Sequence, residues 1–564
     1  MAMKTYDFAY GRGRKTFTVE EDRVLKVVRT EEFPPMEDIR GGVLEAIRHP
    51  IGCPSIEEIV KPGDTVAFIC NDPTRVANSF DFMPVLVDEM NRLGVKDEDM
   101  KIVFALGTHR AMTHEEMVEG VGENVASRLK MYNSICTNDD DFEYFGTTSR
   151  GTPVHIHKEL CNVDHVILTG TIVHHYFSGY GGGRKAILPG CAAMETVRVN
   201  HSFMLDENAA LGRTTGNPCY EDQMEGVALF AKGRSLFLFN AILNAKHQFL
   251  RMFAGDYIAA HKEACKFVDE VYGCVIPKLA DMVIVSCGGY PKDINVYQMQ
   301  KTMENASCAV RKDGVVILLA DCEEGSGSKV LEETFRRLKT PAAIKAELEA
   351  NFKIGANKAY AITRPIEKAR YILVTSLDRQ LAKDMLFTGA VDTVEEALEI
   401  AKQYVGETPD MILMPEGSLT VPRDEEGSSC GGRLRTPPHP TDCRLPAPHR
   451  PGRLFVQNHI PRPACPTTSA STSTATCASV CPKPSSARAR AMTLSSRSSS
   501  ALRPTTRSPF SSRASRNPSG RACPKTFAPP TTTIPSPAPP GTAPARAMKR
   551  ALRASSPRER PTRS

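Results

Sequence analysis

Over the first 420 residues, short apolar runs alternate with stretches of helical periodicity. Residues 64–70, 101–106, 163–169, 282–286, 315–320, 371–375 and 411–414 are apolar nearly throughout, without the every-second-residue polar positions of a half-exposed strand. Such runs predict strands covered on both faces, and therefore parallel sheets. Between them lie helical segments. Residues 84–93 put Leu86, Met90 and Leu93 on one face and stop at Gly94, Thr113 and Glu116 form a capping-box pair, and residues 259–271 predict a further helix. The predicted class is α/β: two Rossmann-like α/β domains with parallel sheets, residues 1–272 and 273–422, and an interdomain cleft.

Polar motifs follow the predicted strands directly. Asn71-Asp72-Pro73-Thr74-Arg75 follows the first, Gly107-Thr108-His109-Arg110 the second, Gly170 and a glycine-rich stretch the third, and Gly288-Gly289-Tyr290-Pro291 the fourth. Ligands of open α/β sheets bind at the carboxyl ends of strands, so four strand ends are expected to face one cleft.

Composition changes the picture only at the end of the chain. The 564 residues carry a formal charge of +6, but residues 431–564 hold 24 of the 41 prolines and 23 Lys and Arg against two acidic residues, Asp442 and Glu559. Removing that +21 leaves −15 for residues 1–430, so the basic character belongs to the tail. With no Tyr, three Phe and low-complexity runs, residues 423–564 are predicted to be a disordered Pro/Ser/Arg-rich tail. Its composition reads as translation out of frame rather than as a nucleic-acid arm. Residues 1–30 are charged and lack a signal-peptide core, and no apolar run reaches the ~18 residues of a membrane span. The expectation is a cytoplasmic protein with neither nucleic acid nor membrane as partner. The 17 cysteines form no C-x-x-C pair, and Cys70, Cys191 and Cys287 read as small buried hydrophobes.

The densest chemistry lies in residues 174–201: His174 and His175, five glycines, Arg184 and Lys185, and His201, all within 28 residues. Glycines at Gly181 and Gly182 allow close backbone approach to an anion, and Arg184 and Lys185 supply charge. The phosphate-loop pattern fails, because Ala186 follows Lys185.

Taken together, Asp72-Pro73-Thr74-Arg75, Gly107-Thr108-His109-Arg110, His174-His175 with Ser178 through Lys185, Leu188-Pro189-Gly190, His201, and the run from Gly288 to Lys301 resemble the nickel-dependent lactate racemase family. The resemblance covers about residues 1–422. It implies a racemase or epimerase of 2-hydroxy acids, with lactate as the default substrate, acting by hydride transfer from Cα to a nickel pincer. The implied cofactor is a nickel complex of pyridinium-3,5-bisthiocarboxylic acid mononucleotide, covalently attached to Lys185 and supplied by cofactor-biosynthesis proteins, with His201 as nickel ligand. His109 and His175 would be the paired acid/base residues. Asp72, Thr74, Gly181, Gly182 and Arg184 would contact the cofactor, and Arg75, Tyr297, Gln298 and Lys301 the substrate.

The chemistry asks for such a set independently. A flat 2-keto acid can take hydrogen on either face, so serving both enantiomers needs a base at each hydroxyl position, a task suited to histidine. Arg75 and Lys301 would anchor the carboxylate. The alternative is a non-catalytic protein that binds a nucleotide or carries the cofactor on the same fold, which has no need of two such histidines. His174 is open between a site role and a structural one. His155 and His157 read as surface residues, and Gly325-Ser326-Gly327 as a turn and helix cap.

Overall fold

The computed structural model describes residues 2–423. The tail predicted from residue 423 onward lies outside the described residues, apart from Arg423 itself.

Two six-stranded sheets organise these residues. The first runs, in spatial order, Phe249–Asp256, Ser235–Leu243, His165–Thr171, Val66–Asn71, Met100–Ala105 and Lys130–Asn133. All neighbours are parallel except Phe249–Asp256, which pairs antiparallel with Ser235–Leu243. The second runs Gly389–Val391, Arg370–Val374, Val310–Leu319, Ala280–Ser286, Met411–Met414 and Val24–Val27, all parallel. The α/β class with parallel sheets is thus present, and its cause is visible in Val66–Cys70, where five consecutive side chains have no exposed surface. Val66, Phe68 and Cys70 pack under the helices Ile39–Arg48 and Ser79–Arg92, while Ala67 and Ile69 face the layer that includes Ile187, Leu188, Val197 and Phe230.

The chain enters the two layers in an unexpected order. The hairpin Met3–Tyr10/Gly13–Glu20 buries Phe8, Phe17 and Val19 against Met282, Ile284 and Ile317, and Val24–Val27 completes the edge of the second sheet. Residues 3–27, expected with the first domain of a 1–272/273–422 division, therefore pack with the second sheet. Residue spacing could not reveal this, because the hairpin alternates polar and apolar positions and would suit any sheet face.

Local boundaries moved for identifiable reasons. The helix predicted from residue 84 begins at Ser79 and carries Pro84 inside it, whereas proline is most often the first residue of a helix. The Thr113/Glu116 capping box is formed, with Thr113 accepting from Glu116 N–H. Ser328 caps the helix Lys329–Leu338 just past Gly325-Ser326-Gly327, as the turn reading expected. Cys70, Cys191 and Cys287 are all core residues. His157 is a correction: it is buried, with its ring edge-on to Phe142, rather than on the surface. No helix among the described residues is long and apolar enough to cross a membrane.

Strand order positions the site. In the first sheet the order reverses between Val66–Asn71 and His165–Thr171, and in the second between Ala280–Ser286 and Met411–Met414. At such a reversal the loops leaving neighbouring strands diverge and open a crevice. The segments 72–75 and 172–185 leave one crevice, and 287–295 leaves the other.

Candidate active site

The first crevice is lined by a short turn. Asp72 is buried, and one carboxylate oxygen accepts from Thr74 N–H at 2.7 Å and Thr74 Oγ1 at 2.5 Å. That side-chain-to-backbone closure is the usual reason for Asp at a turn. Its other oxygen lies 2.8 Å from His109 Nδ1, and Thr74 Oγ1 is 3.4 Å from the same nitrogen. Burial pushes the Asp72 carboxyl up, but hydrogen bonds from His109 and Thr74 outweigh it and hold the group below its ordinary range. A carboxylate only accepts, so His109 Nδ1 carries the hydrogen and, in the neutral ring, Nε2 is left with a free lone pair. Gly107 N–H donates to Gly190 O at 2.9 Å, which ties the His109 loop to the end of the glycine-rich stretch.

The 174–201 segment divides between scaffold and site. His174 resolves to scaffold: Nε2 pairs with Asp269 at 2.8 Å, and the Tyr180 hydroxyl donates to the same carboxylate. Much of the glycine loop is also braced from within. Gly181 N–H donates to Val173 O and Gly183 N–H to Asn240 Oδ1, both at 2.8 Å. Gly182 has φ +67°, and a Cβ there would sit 2.5 Å from Ile172 and 2.9 Å from Thr171 O. These glycines serve close packing, and the amides of Gly181 and Gly183 are not free for a ligand. Arg184, expected to face an anion, is buried with its guanidinium 3.8 Å from the Tyr220 ring centroid and Nη2 bonded to Ser178 O, Ser178 Oγ and Tyr180 O. It holds the loop in shape.

His175, Lys185 and His201 gather around Phe177, at 4.6 Å, 5.6 Å and 5.0 Å from its ring centroid. His175 Nδ1 accepts from Ser178 N–H at 3.2 Å. Burial first, then the charges of Lys185, Arg75, His201 and Arg184, hold His175 well below its ordinary pKa. Burial with Arg184 and Arg75 does the same to Lys185, and burial with Lys185 takes His201 down to about 3. All three are thereby biased toward their neutral forms. His201 rides on the helix Met194–Ser202, and its Nδ1 is buried without a hydrogen-bond partner.

Across the cleft the helix Val296–Ser307, capped by Asn295 on Gln298 N–H, presents Tyr297, Gln298 and Lys301, with Lys301 Nζ donating to Gln298 Oε1 at 3.2 Å. All three are open to solvent, as are Thr74, Arg75 and His109. Arg75 joins the two sides, since its charge acts on His175 and Lys185 of the first layer and on Tyr297 and Lys301 of the second. Partial desolvation of its ammonium end, then Arg75, takes Lys301 to about 8. Two residues were not singled out from the sequence. Tyr176 stacks on His175 with centroids 5.0 Å apart, and the buried Lys358 lies 4.5 Å from the Tyr297 ring centroid. Lys358 gives no sequence signal, because a lysine in an amphipathic helix ordinarily faces water.

Among the described residues no three His, Cys, Asp or Glu side chains are disposed to hold a metal ion. The donor set fits something narrower: one imidazole nitrogen without a partner, next to a desolvated lysine amine. A metal with a single protein ligand, whose other donors belong to an organic group bonded to that amine, matches both.

Comparisons with known proteins give the family. The Lactate racemase N-terminal domain family matches residues 10–212 and the Lactate racemase C-terminal domain family residues 275–421. The lactate racemase of Thermoanaerobacterium thermosaccharolyticum is 29% identical over 435 residues, which is 75% of this chain and all of that protein. The lactate racemase of Lactiplantibacillus plantarum is 28% identical, covering 66% of this chain and 89% of that one. The structure of the T. thermosaccharolyticum lactate racemase apoprotein superposes with a TM-score of 0.69 at 28% identity, over 75% of this chain and all of that one. A Thermotoga maritima protein, 17% identical with a TM-score of 0.53 over 70% of this chain and all of that one, shares the fold. With both family domains matched in order, the chain belongs to the lactate racemase family, a family of isomerases.

Proposed function

We propose that the protein racemises 2-hydroxy acids, with lactate as the reference substrate, using a nickel-pincer mononucleotide attached to Lys185 and ligated by His201. The observation that carries this is the pairing of His109 on Asp72 with a desolvated His175, beside a desolvated Lys185 and a His201 nitrogen without a partner. When bound, the cofactor supplies a carbon that takes the Cα hydrogen with its electron pair and returns it.

The side chains of this protein do the rest. Arg75 and Lys301 hold the substrate carboxylate, the first through its planar fork and the second as a point charge. Tyr297 and Gln298 orient the substrate from the same helix. His109 takes the hydroxyl proton of one enantiomer at Nε2, because Asp72 keeps the other nitrogen protonated. His175 handles the opposite enantiomer. The cations that hold its pKa down are those a bound ligand set would neutralise: a substrate carboxylate offsets Arg75, and an acylated Lys185 has no charge. His175 can then carry a proton and return it. A carrier protein would have no use for a histidine oriented by a carboxylate at the cleft mouth.

The same reading has the protein loaded by cofactor-biosynthesis proteins and working in the cytoplasm on a small-molecule acid, without nucleic acid or membrane. Co-expression with cofactor-making enzymes, followed by intact mass and chiral chromatography, tests it. The wild type should carry a covalent mass increment and interconvert D- and L-lactate, and Lys185→Ala should lose both. Lactate deuterated at Cα should keep its label through racemisation. Rapid loss of deuterium to water would mean that Cα is deprotonated, and the proposal would fall.

A further inference from the structure

One carboxylate is well served by an arginine fork and one ammonium, yet the cleft holds a third cation. Lys358, on the helix Asn357–Lys368, is 6% exposed. Its Nζ donates to Gln300 Oε1 at 2.7 Å and lies 4.5 Å from the ring centroid of Tyr297 and 5.4 Å from that of Tyr176. Tyr297 belongs to the substrate helix and Tyr176 stacks on His175, so the ammonium sits between the residues proposed to bind substrate and one of the two bases.

Its charge is not balanced. Among the described residues neither Lys358 nor Lys301 nor Arg75 pairs with a carboxylate, and the acidic group that acts on Lys358, Glu304, is engaged by Arg364 at 3.1 Å. A buried ammonium ordinarily has an ionic partner, because two aromatic faces and one amide oxygen recover only part of its lost hydration. Burial, with Lys301 and Arg75 nearby, accordingly brings Lys358 down to about 7. An anion arriving beside it would restore the charge.

We propose that Lys358 binds a second anionic group on the substrate's side chain, so that the preferred substrate is a 2-hydroxydicarboxylic acid of the malate kind rather than lactate. Arg75 and Lys301 keep the carboxylate next to the reacting carbon, and Lys358 takes the other. This rests on the racemase reading for the reaction, but not for the binding.

The test compares L-malate with L-lactate on the cofactor-loaded protein, wild type and Lys358→Met, by calorimetric binding and by chiral chromatography of the products. Interconversion of enantiomers is thermoneutral in an achiral buffer, so turnover does not mask the heat of binding. The wild type should bind malate about 10- to 100-fold more tightly than lactate, the size of one charge-assisted hydrogen bond, and Lys358→Met should remove the preference while leaving lactate binding and cofactor mass unchanged. Equal binding of the two acids by the wild type would overturn the proposal without needing any variant. Loss of cofactor in Lys358→Met, with both acids weakened alike, would overturn it too, by assigning Lys358 to the nucleotide phosphate. If malate binds preferentially and neither acid is racemised, the subsite stands and the racemase reading fails.

Discussion

The two halves of the cleft neutralise themselves in opposite ways. At the turn 72–75 the side chain of His109 is 41% exposed and leans on a carboxylate that is itself tied down by Thr74. Around Phe177, His175, Lys185 and His201 are enclosed among aromatic rings and the guanidinium groups of Arg75 and Arg184, and burial and these charges bias them toward their neutral forms. The first region is complete as a protein structure. Among the described residues, the second has no carboxylate paired with its cations and leaves His201 Nδ1 without a partner, which is what a site looks like when its remaining groups belong to a ligand. The difference suggests that chemistry at His109 depends on the protein's own hydrogen bonds, and at His175 on what the ligands bring.

Removing either histidine is the strongest way to break that comparison. His109→Ala and His175→Ala should each lower racemisation by ~10²–10⁴-fold in both directions, since each handles one enantiomer's hydroxyl proton and a cycle needs both. Intact mass should show the cofactor retained in both variants. A variant that slowed one direction only, or lost its cofactor, would contradict the symmetric roles.

Asp72→Asn acts on the His109 side alone. Thr74 presents two donors to one oxygen of residue 72, so the asparagine oxygen must stay there and its NH₂ must face His109 Nδ1. The ring is then forced to accept at Nδ1 and carry hydrogen at Nε2, where the lone pair is needed. The expected loss is about 10²-fold or more in kcat, with KM for lactate little changed and the cofactor mass intact. Activity within a few-fold of wild type would mean that Asp72 does not set the tautomer.

Particular residues show how far such an arrangement can be read in sequence. Strands buried on both faces, such as Met411–Met414 and Val66–Asn71, are legible because burial leaves an uninterrupted apolar run. Ser235–Leu243 is nearly as apolar, but a continuous run without period does not separate strand from buried helix. The hairpin Met3–Tyr10/Gly13–Glu20 is not legible for the opposite reason: its alternation of polar and apolar positions would suit any sheet face, and the sheet it joins is reached only by long-range contact. At the site, motif order identified the chemical residues, while Arg184 and the glycines at 181–183 look alike in sequence whether they cradle a ligand or brace a loop. Only their partners decide, and those come from Ser178, Asn240 and Val173.

The smallest expected effect concerns the brace behind the enclosed half. His261, on the helix Ala259–Tyr272, is 3% exposed and its Nε2 donates to Gly181 O at 2.9 Å. Burial, reinforced by the Arg184 charge, takes it to about 3. The unfolded chain titrates this group near ~6.5, so between about pH 6.5 and 3 the unfolded state binds the extra proton. The stability from a neutral His261 is therefore complete above the unfolded value and is lost as pH falls, by about 1.4 kcal/mol per pH unit. His201, also near 3, adds a similar slope, and ligation of its nitrogen would preserve it, because a ligated imidazole likewise takes up no proton in the folded state. Urea unfolding of the cofactor-loaded protein between pH 7 and 5 should show stability declining toward acid, and His261→Gln should flatten that decline by about one proton while lowering stability at pH 7 for the altered contact to Gly181. An unchanged slope in His261→Gln would show that His261 takes up a proton in the folded protein, and the enclosed half would then tolerate a charge that its surroundings are arranged to refuse.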